Sequence, residues 1–531
     1  RFGCRSGLSI GRCPFPFFSI LALVWPCLVS LSPMAWTNPK NLRQAGVLSL
    51  GLLALGLSTS HTLMSVGLAL GLVFALAFAL RVGIQRPNLV HSLLPTLFVL
   101  MAMAALPALP DTAALRELRL KIPFLLLPLA WFWLKPQRTD LRLWLWTTAL
   151  GCILAFLVGS FRFFEVWPQV EPRLFSPFIS NVRMGTLLVL CSLGFFYLDR
   201  GWRPYVFLAF AVLYLLFLQA MTALLLSAFL LPILFPPRVR IASALALLAC
   251  ILGLGFYTYN AYMPEPEPEF YPMFSAEGHP YKYDFNDPSI ENGHYVFRYV
   301  CPYELRREWA KRSQLHIDSN HAQAYPIYPT LLRYLSSRGL RKDAAGLRAL
   351  ANHEINAIEA GVANCLELET PAIRARWHEL VRDLHYYVKT GNPNHKSLPI
   401  RIELWKGATQ LLWAHPWFGL GIDSLRPALK NQLQQSNSPL NEHYGSLNPH
   451  NQWLFFGLTA GIPYLAIWFF LWIAPLFWSS FRNAPYFLFY FGLMTLALCT
   501  EDGLDTQAGV AQFVWFWLFT SNSPNREGLK E

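Results

Sequence analysis

The stretch PYVFLAFAVLYLLFLQAMTALLLSAFLLPILF, residues 204–235, carries no charged side chain anywhere along its length. A run of that kind cannot be buried on every side by a water-soluble core, and it exceeds the ~20 residues with which one helix crosses a hydrocarbon layer. Comparable apolar segments recur at 44–59, 62–80, 89–109, 122–134, 141–159, 184–198, 204–219, 221–235, 241–258, 451–478, 485–500 and 508–520. Composition agrees: 54% of the chain is hydrophobic and only 14% charged, which excludes a soluble globular protein of this length. The expected fold class is an all-α polytopic membrane protein with about 12 transmembrane helices.

Lys and Arg in short loops are retained on the cytoplasmic side, so their distribution orients the bundle. Lys40 and Arg43 precede the first span, and Arg81, Arg86, Lys135, Arg138, Arg200, Arg203, Arg238, Arg240 and Arg482 fall in alternate loops. Segment 110–121 breaks the pattern with Arg116, Arg119 and Lys121 on the outer side, beside Asp111 and Glu117. The acidic loop EDGLDTQ, 501–507, fits the outer side. Counting 15–32 as a thirteenth span would invert every later loop, so residues 1–33 are expected to be a non-native or signal-like leader, with Met34 the natural start.

The domain organisation expected is transmembrane helices 1–9 over 34–258, one large periplasmic loop over 259–449, and helices 10–12 with a cytoplasmic tail over 450–531. The loop holds 20 basic and 20 acidic residues, so the net charge of +12 belongs to the membrane portion and reads as cytoplasmic anchoring. A balanced loop offers no nucleic-acid surface. It opens on the extended linker MPEPEPEFYP and then shows helical spacing over 327–339, 341–360, 371–389 and 398–413. The third of these carries Ile373, Trp377, Leu380, Leu384 and Val388 on one face behind a Thr370-Pro371 start signal. Cys301 and Cys365, the two cysteines of the loop, either pair in an oxidising compartment or stay as buried thiols.

Two polar features sit at outer helix mouths and a third on a helix of the loop. In SLNPHNQWLFFGLTAGIPY, 446–464, the spacing H-N-x9-G-x2-Y places His450, Asn451 and Gln452 where the loop re-enters the membrane and Gly461 three turns deeper. A neutral imidazole there suits proton abstraction from a sugar hydroxyl, while the bland alternative has His450 and Asn451 capping the helix. In SPFISNVRMGTLLVL, Arg183 stands at the outer mouth of the sixth span, where it could also snorkel to lipid phosphates. In SLPIRIELWKGATQLLWAHPWFGLGID, Arg401, Trp405 and Lys406 lie on or near one side of an amphipathic helix that ends in a Gly-rich turn. Arg401 could equally be a surface charge paired with Glu403.

The segment RIELWKGATQLLWAHPWFGLGIDSLRPAL, followed by PHNQWLFFGLTAGIPYLAIWFFLWIAPL and TEDGLDTQAGVAQFVWFWLF, resembles the O-antigen ligase family of bacterial inner-membrane glycosyltransferases. The stretch LLRYLSSRGLRKDAAGLRALANHEINAIEAGVAN looks like the version found in Bacteroidetes members. The resemblance implies a C-type glycosyltransferase-like fold with no metal or other cofactor. It implies a polyprenyl-diphosphate-linked glycan as donor, transferred on the periplasmic side to a lipid A-core acceptor, with membrane lipids as the other partners. It assigns His450 as the catalytic residue and Arg183 and Arg401 to the diphosphate, with Asn451, Gln452, Trp405, Lys406 and Glu501 in support. Guanidinium groups suit that task because they bind a diphosphate through bidentate, charge-assisted bonds.

Where many members carry a basic pair near the junction of the seventh and eighth spans, this chain reads LQAMTALLLSA, which puts more weight on Arg183 and Arg401. O-antigen polymerases and protein O-oligosaccharyltransferases share the donor and differ in acceptor, so they stand as alternatives. A polysaccharide or lipid transporter is a further one, against which the absence of internal repeats and of mid-span charges weighs. No Asp-x-Asp or Trp-Trp-Asp motif of metal-dependent oligosaccharyltransferases occurs, the nearest acidic cluster being DFND at 284–287.

Overall fold

The computed structural model describes residues 38–521 except 85–88, 107–111, 166–171, 200, 235–236, 265, 267, 321–325, 370–371, 395, 441–447 and 483. The leader with Met34, Arg86, Arg200 and the Thr370-Pro371 start signal lie outside the described residues.

Each of the twelve apolar segments becomes helical. Among the described residues, six helices are long and apolar enough to cross a membrane: Pro39–Thr59, His61–Val82, Arg138–Phe163, Asn181–Leu198, Ile241–Asn260 and Gln452–Phe477. Ser92–Ala105, Arg203–Leu218 and Pro485–Thr500 are apolar but shorter. The long run that opened the sequence breaks at Gln219, whose left-handed backbone (φ 49°) ends one helix before Met221–Leu230 begins. The two helices coincide with the segments read separately as 204–219 and 221–235.

Packing explains which helices are central. Gly67 lets the first two helices touch, since a Cβ there would lie 2.4 Å from the Leu53 backbone nitrogen. Small residues at such a crossing replace the hydrophobic effect, which lipid does not supply, with close backbone contact. The last helix, Gln507–Ser521, is buried at every position from Ala508 to Thr520. Trp515 on it meets Trp131 and Trp144 with ring centroids 5.4 and 5.2 Å away, and Trp517 meets Trp472 at 5.3 Å. The acidic loop 501–506 enters this central helix directly and is thereby carried into the middle of the bundle's end.

The loop between the bundle halves has its own core, built from Val296, Val300, Leu305, Trp309, Leu331, Leu335, Leu347, Ile355 and Ile358 among others. The expected helices appear at Ile327–Ser337, Ala372–Thr390 and Ser397–Ala414. The one expected over 341–360 splits into Ala344–Ala349 and Asn352–Glu359. Leu350 turns extended (φ −70°, ψ 139°) and into the core, and the Glu354 carboxylate accepts the Ala351 N–H to start the second piece. A two-residue hairpin, Ile290–Glu291 with His294–Tyr295, is the strand pairing among the described residues. Cys301 and Cys365 are separate buried free thiols, so the pairing alternative falls.

Candidate active site

Asn451, not His450, caps the helix Gln452–Ile473: its side chain accepts from the Trp453 and Leu454 amides at 3.0 and 3.1 Å. The cap halts the chain in extended geometry, and His450 before it is held at φ 47°, a conformation that costs a non-glycine residue energy. That turn aims His450 at the acidic loop. Its backbone N–H donates to Asp502 Oδ2 at 3.1 Å, and its Nδ1 lies 3.5 Å from the same oxygen. The His450 side chain is 41% exposed.

Both arginines reach the same loop from other elements. Ser180 caps the helix Asn181–Leu198, and Arg183 in its first turn donates from Nη2 to the Asp502 carbonyl at 3.3 Å. Its Nε is buried without a partner. Arg401, on the loop helix Ser397–Ala414, is ion-paired with Glu501. Glu403 is instead occupied by Lys406, Tyr387 and Ser438, so the surface-pair alternative for Arg401 does not hold. The structure thus gathers His450, Arg183 and Arg401 on two consecutive residues, Glu501 and Asp502.

The supporting residues divide. Gln452 is fully buried and accepts the Leu504 N–H on Oε1 at 2.9 Å, leaving its Nε2 unpartnered. Trp405 keeps a buried indole N–H without a partner. Lys406 departs from the expectation: it is exposed and bonds Glu403 and the Tyr387 hydroxyl, both at 2.7 Å, away from the acidic loop. A shift of one position beyond Trp405 rotates it ~100° off that face.

Sequence reading missed the centrepiece. The loop EDGLD, from which the sequence reading names Glu501 alone as a supporting residue, is the hub: beyond Glu501 and Asp502, the Leu504 carbonyl accepts from Lys121, and Asp505 Oδ2 accepts from Asn448 at 2.7 Å. Asn448 in turn accepts from Arg426 Nε at 2.8 Å. Lys121 is only 4% exposed and lies 3.4 Å from Glu117. Its place here explains why it violated the charge rule: it is a buried partner of the site, not a loop cation facing lipid headgroups. The usable signal was three carboxylates within five residues at an apolar helix end.

The helix below His450 is broken at Ala460 and Gly461 (φ 87° at Gly461), and the Gly-rich turn after Ala414 splices into the break. Leu420 and Gly421 donate to the carbonyls of Leu458 and Thr459 at 2.7 and 3.0 Å, and Ile462 donates to Pro416 at 2.6 Å. These bonds satisfy backbone groups that a broken membrane helix would strand. Gly461 admits no side chain, because a Cβ would lie 2.4 Å from the Trp417 backbone. The helix bearing Arg401 is thereby pinned to the helix behind His450.

Burial raises the Asp502 carboxyl above its usual range, with Asp505 and Glu501 adding to the effect, and burial likewise raises Asp505. Burial lowers His450, opposed by Glu501 and helped by Arg401, so its imidazole is neutral at neutral pH. Glu277, His279 and Glu304 in the loop have ligand atoms within 4.8 Å of one another. Their charge is met without an ion, however: Glu277 pairs with Arg307 and Arg348, and Glu304 accepts from Ala344 and faces His279.

His450, Arg183 and Arg401 thus reach the loop at Glu501 and Asp502 from three different elements. Residues 361–469, which contain Arg401, the Gly-rich turn, His450 and the broken helix, match the family model described as O-antigen ligase. Over that stretch the chain is similar to O-antigen ligases. No curated protein matches the chain significantly. The matched stretch spans both the loop helices and the membrane helix that the splice at Gly461 holds together, and its family is one of glycosyltransferase-like membrane enzymes.

Proposed function

We propose that this protein is an O-antigen ligase of the bacterial inner membrane that transfers a polyprenyl-diphosphate-linked glycan to lipid A-core. On this reading the bundle crosses the membrane twelve times, the 259–449 loop is periplasmic, and no metal takes part. The observation that carries it is the meeting of His450, Arg183 and Arg401 on Glu501 and Asp502.

The acceptor hydroxyl oxygen attacks the anomeric carbon of the donor sugar while its proton passes to His450 Nε2. The bond from that carbon to the diphosphate oxygen breaks, and the electron pair leaves with the diphosphate. Asp502, on the Nδ1 side, orients the ring, and Glu501, which favours the protonated ring, stabilises the imidazolium as it forms. Arg183 and Arg401 stabilise the leaving charge in a water-poor site. The unpartnered Arg183 Nε and the half-exposed Arg401 are the donors that a diphosphate would satisfy.

A deletion strain examined by lipopolysaccharide gel tests the reading. Loss of the ladder with retained lipid-linked polymer supports the ligase, whereas core bearing a single repeat would make the protein a polymerase. Topology is tested separately by a reporter active only in the periplasm, fused near Asn320. Activity confined to a cytoplasmic reporter at that position would refute the orientation.

A further inference from the structure

Arg426 stands at the water-exposed edge of the site and is not needed by the chemistry above. It lies in the first turn of the helix Leu425–Gln435, which packs on the helix carrying Arg401. Its Nε donates to Asn448 Oδ1 at 2.8 Å, and Asn448 Nδ2 donates to Asp505 Oδ2 at 2.7 Å. Asp505 is thus linked to Arg426 through a neutral amide. A direct ion pair would spend the guanidinium on the carboxylate; the relay fixes its position and leaves both Nη groups without a partner among the described residues. An exposed arginine held by Nε alone, with its outer fork open, matches the geometry by which guanidinium binds phosphate or carboxylate.

Position selects the substrate it would serve. The three cations fall in two classes: Arg183 and Arg401 are both part-buried, the latter with its side chain 24% exposed, and Arg426 is exposed. The lipid-linked diphosphate is taken by the inner two. Asn448 and His450 are two residues apart, so their backbones are separated by at most ~7 Å. An anion on Arg426 would therefore sit about one or two sugars away from a hydroxyl at His450.

We propose that Arg426, positioned by Asn448 and Asp505, forms an anion-binding subsite that recognises a phosphate on the acceptor glycolipid close to the hydroxyl that is glycosylated. This rests on the ligase reading and adds to it a rule for acceptor choice. The protein would select against neutral acceptors through Arg426 rather than through the catalytic groups.

The test uses the full-length protein in lipid vesicles, with a polyprenyl-diphosphate-linked glycan as donor and lipid A-core as acceptor, either native or after chemical dephosphorylation. Arg426→Gln should raise the acceptor KM about tenfold with native acceptor, leave the donor KM unchanged, and make no difference with the dephosphorylated one. Arg426→Lys should restore part of the loss. Asn448→Ala should show the same acceptor-selective defect, since it removes the positioning bond without touching a charge. A rise in donor KM, or an equal loss with both acceptors, would overturn the proposal. His450→Ala, run in parallel, separates this from failure of the ligase reading itself: transfer that survives it refutes the catalytic assignment whatever Arg426 does.

Discussion

Two buried ionic clusters in this protein obey opposite rules. In the loop, Glu291 is 2% exposed and every oxygen is used: Oε1 accepts from Arg333 and Arg382 at 2.7 and 3.2 Å, and Oε2 from Asn364 at 2.8 Å. Burial opposes its ionisation, but Arg382 and Arg333 overcome this and hold the carboxyl below the usual range. At the site, Asp502 is nearly as buried, 5% exposed, yet one oxygen of Asp502, one of Asp505, the Gln452 amide and Arg183 Nε lack partners. Folded proteins pair their buried polar groups. The closed cluster ties the hairpin to the helices Ile327–Ser337 and Ala372–Thr390, while the open one retains capacity that a substrate fills.

If that contrast is right, damage to the open cluster should cost activity and damage to the closed one should cost folding. The largest effect is expected from His450→Ala, a loss of roughly 10²–10⁴ in transfer rate with donor binding retained. A radioactive donor-binding assay beside single-turnover transfer checks both halves, and concurrent loss of binding would count against a purely catalytic role. Next comes Glu291→Ala, which leaves two arginines facing each other and should destabilise the loop by about 3–5 kcal/mol. Limited proteolysis of the loop, compared with thermal unfolding of the whole protein in detergent, would reveal it, and unchanged proteolysis would erase the distinction drawn here.

Arg401→Ala removes a charge-assisted contact worth about 1.5–3 kcal/mol and should weaken both donor binding and turnover. Steady-state kinetics on the donor is the measurement, and an effect on neither parameter would remove Arg401 from the site. The smallest effect is on pH. His450 must be neutral to act, and its pKa is lowered, so activity should persist as pH falls below the ordinary histidine value of ~6.5. Of the groups facing it, Glu501 favours the protonated ring and Arg401 opposes it, with Asp502 shifted toward its neutral form. Glu501→Gln should therefore move the acid limb of the rate profile to still lower pH, and a limb moving upward would reverse the assigned signs.

Much of this was legible in one dimension. Uncharged apolar runs dictate membrane helices because lipid offers no partner to polar groups, and each run did become helix. His450 and Arg183 were visible because polar residues at apolar helix mouths are costly, and the matched residues 361–469 contain His450 and Arg401. Even the break at Gln219 lies at the boundary between segments 204–219 and 221–235, although hydropathy does not supply the backbone turn that makes it. Nor could it tell Lys121 from a topological anchor or Lys406 from a site residue. Their partners, Leu504 and Tyr387, are set by tertiary contacts 383 and 19 residues away along the chain. The sequence by itself determined the solvent each segment requires, because transfer free energy is a property of composition. Only the tertiary structure decided that the acidic loop at 501–505 is the hub, because a site is defined by which side chains share a few ångströms, and that depends on how the central helix Gln507–Ser521 is packed.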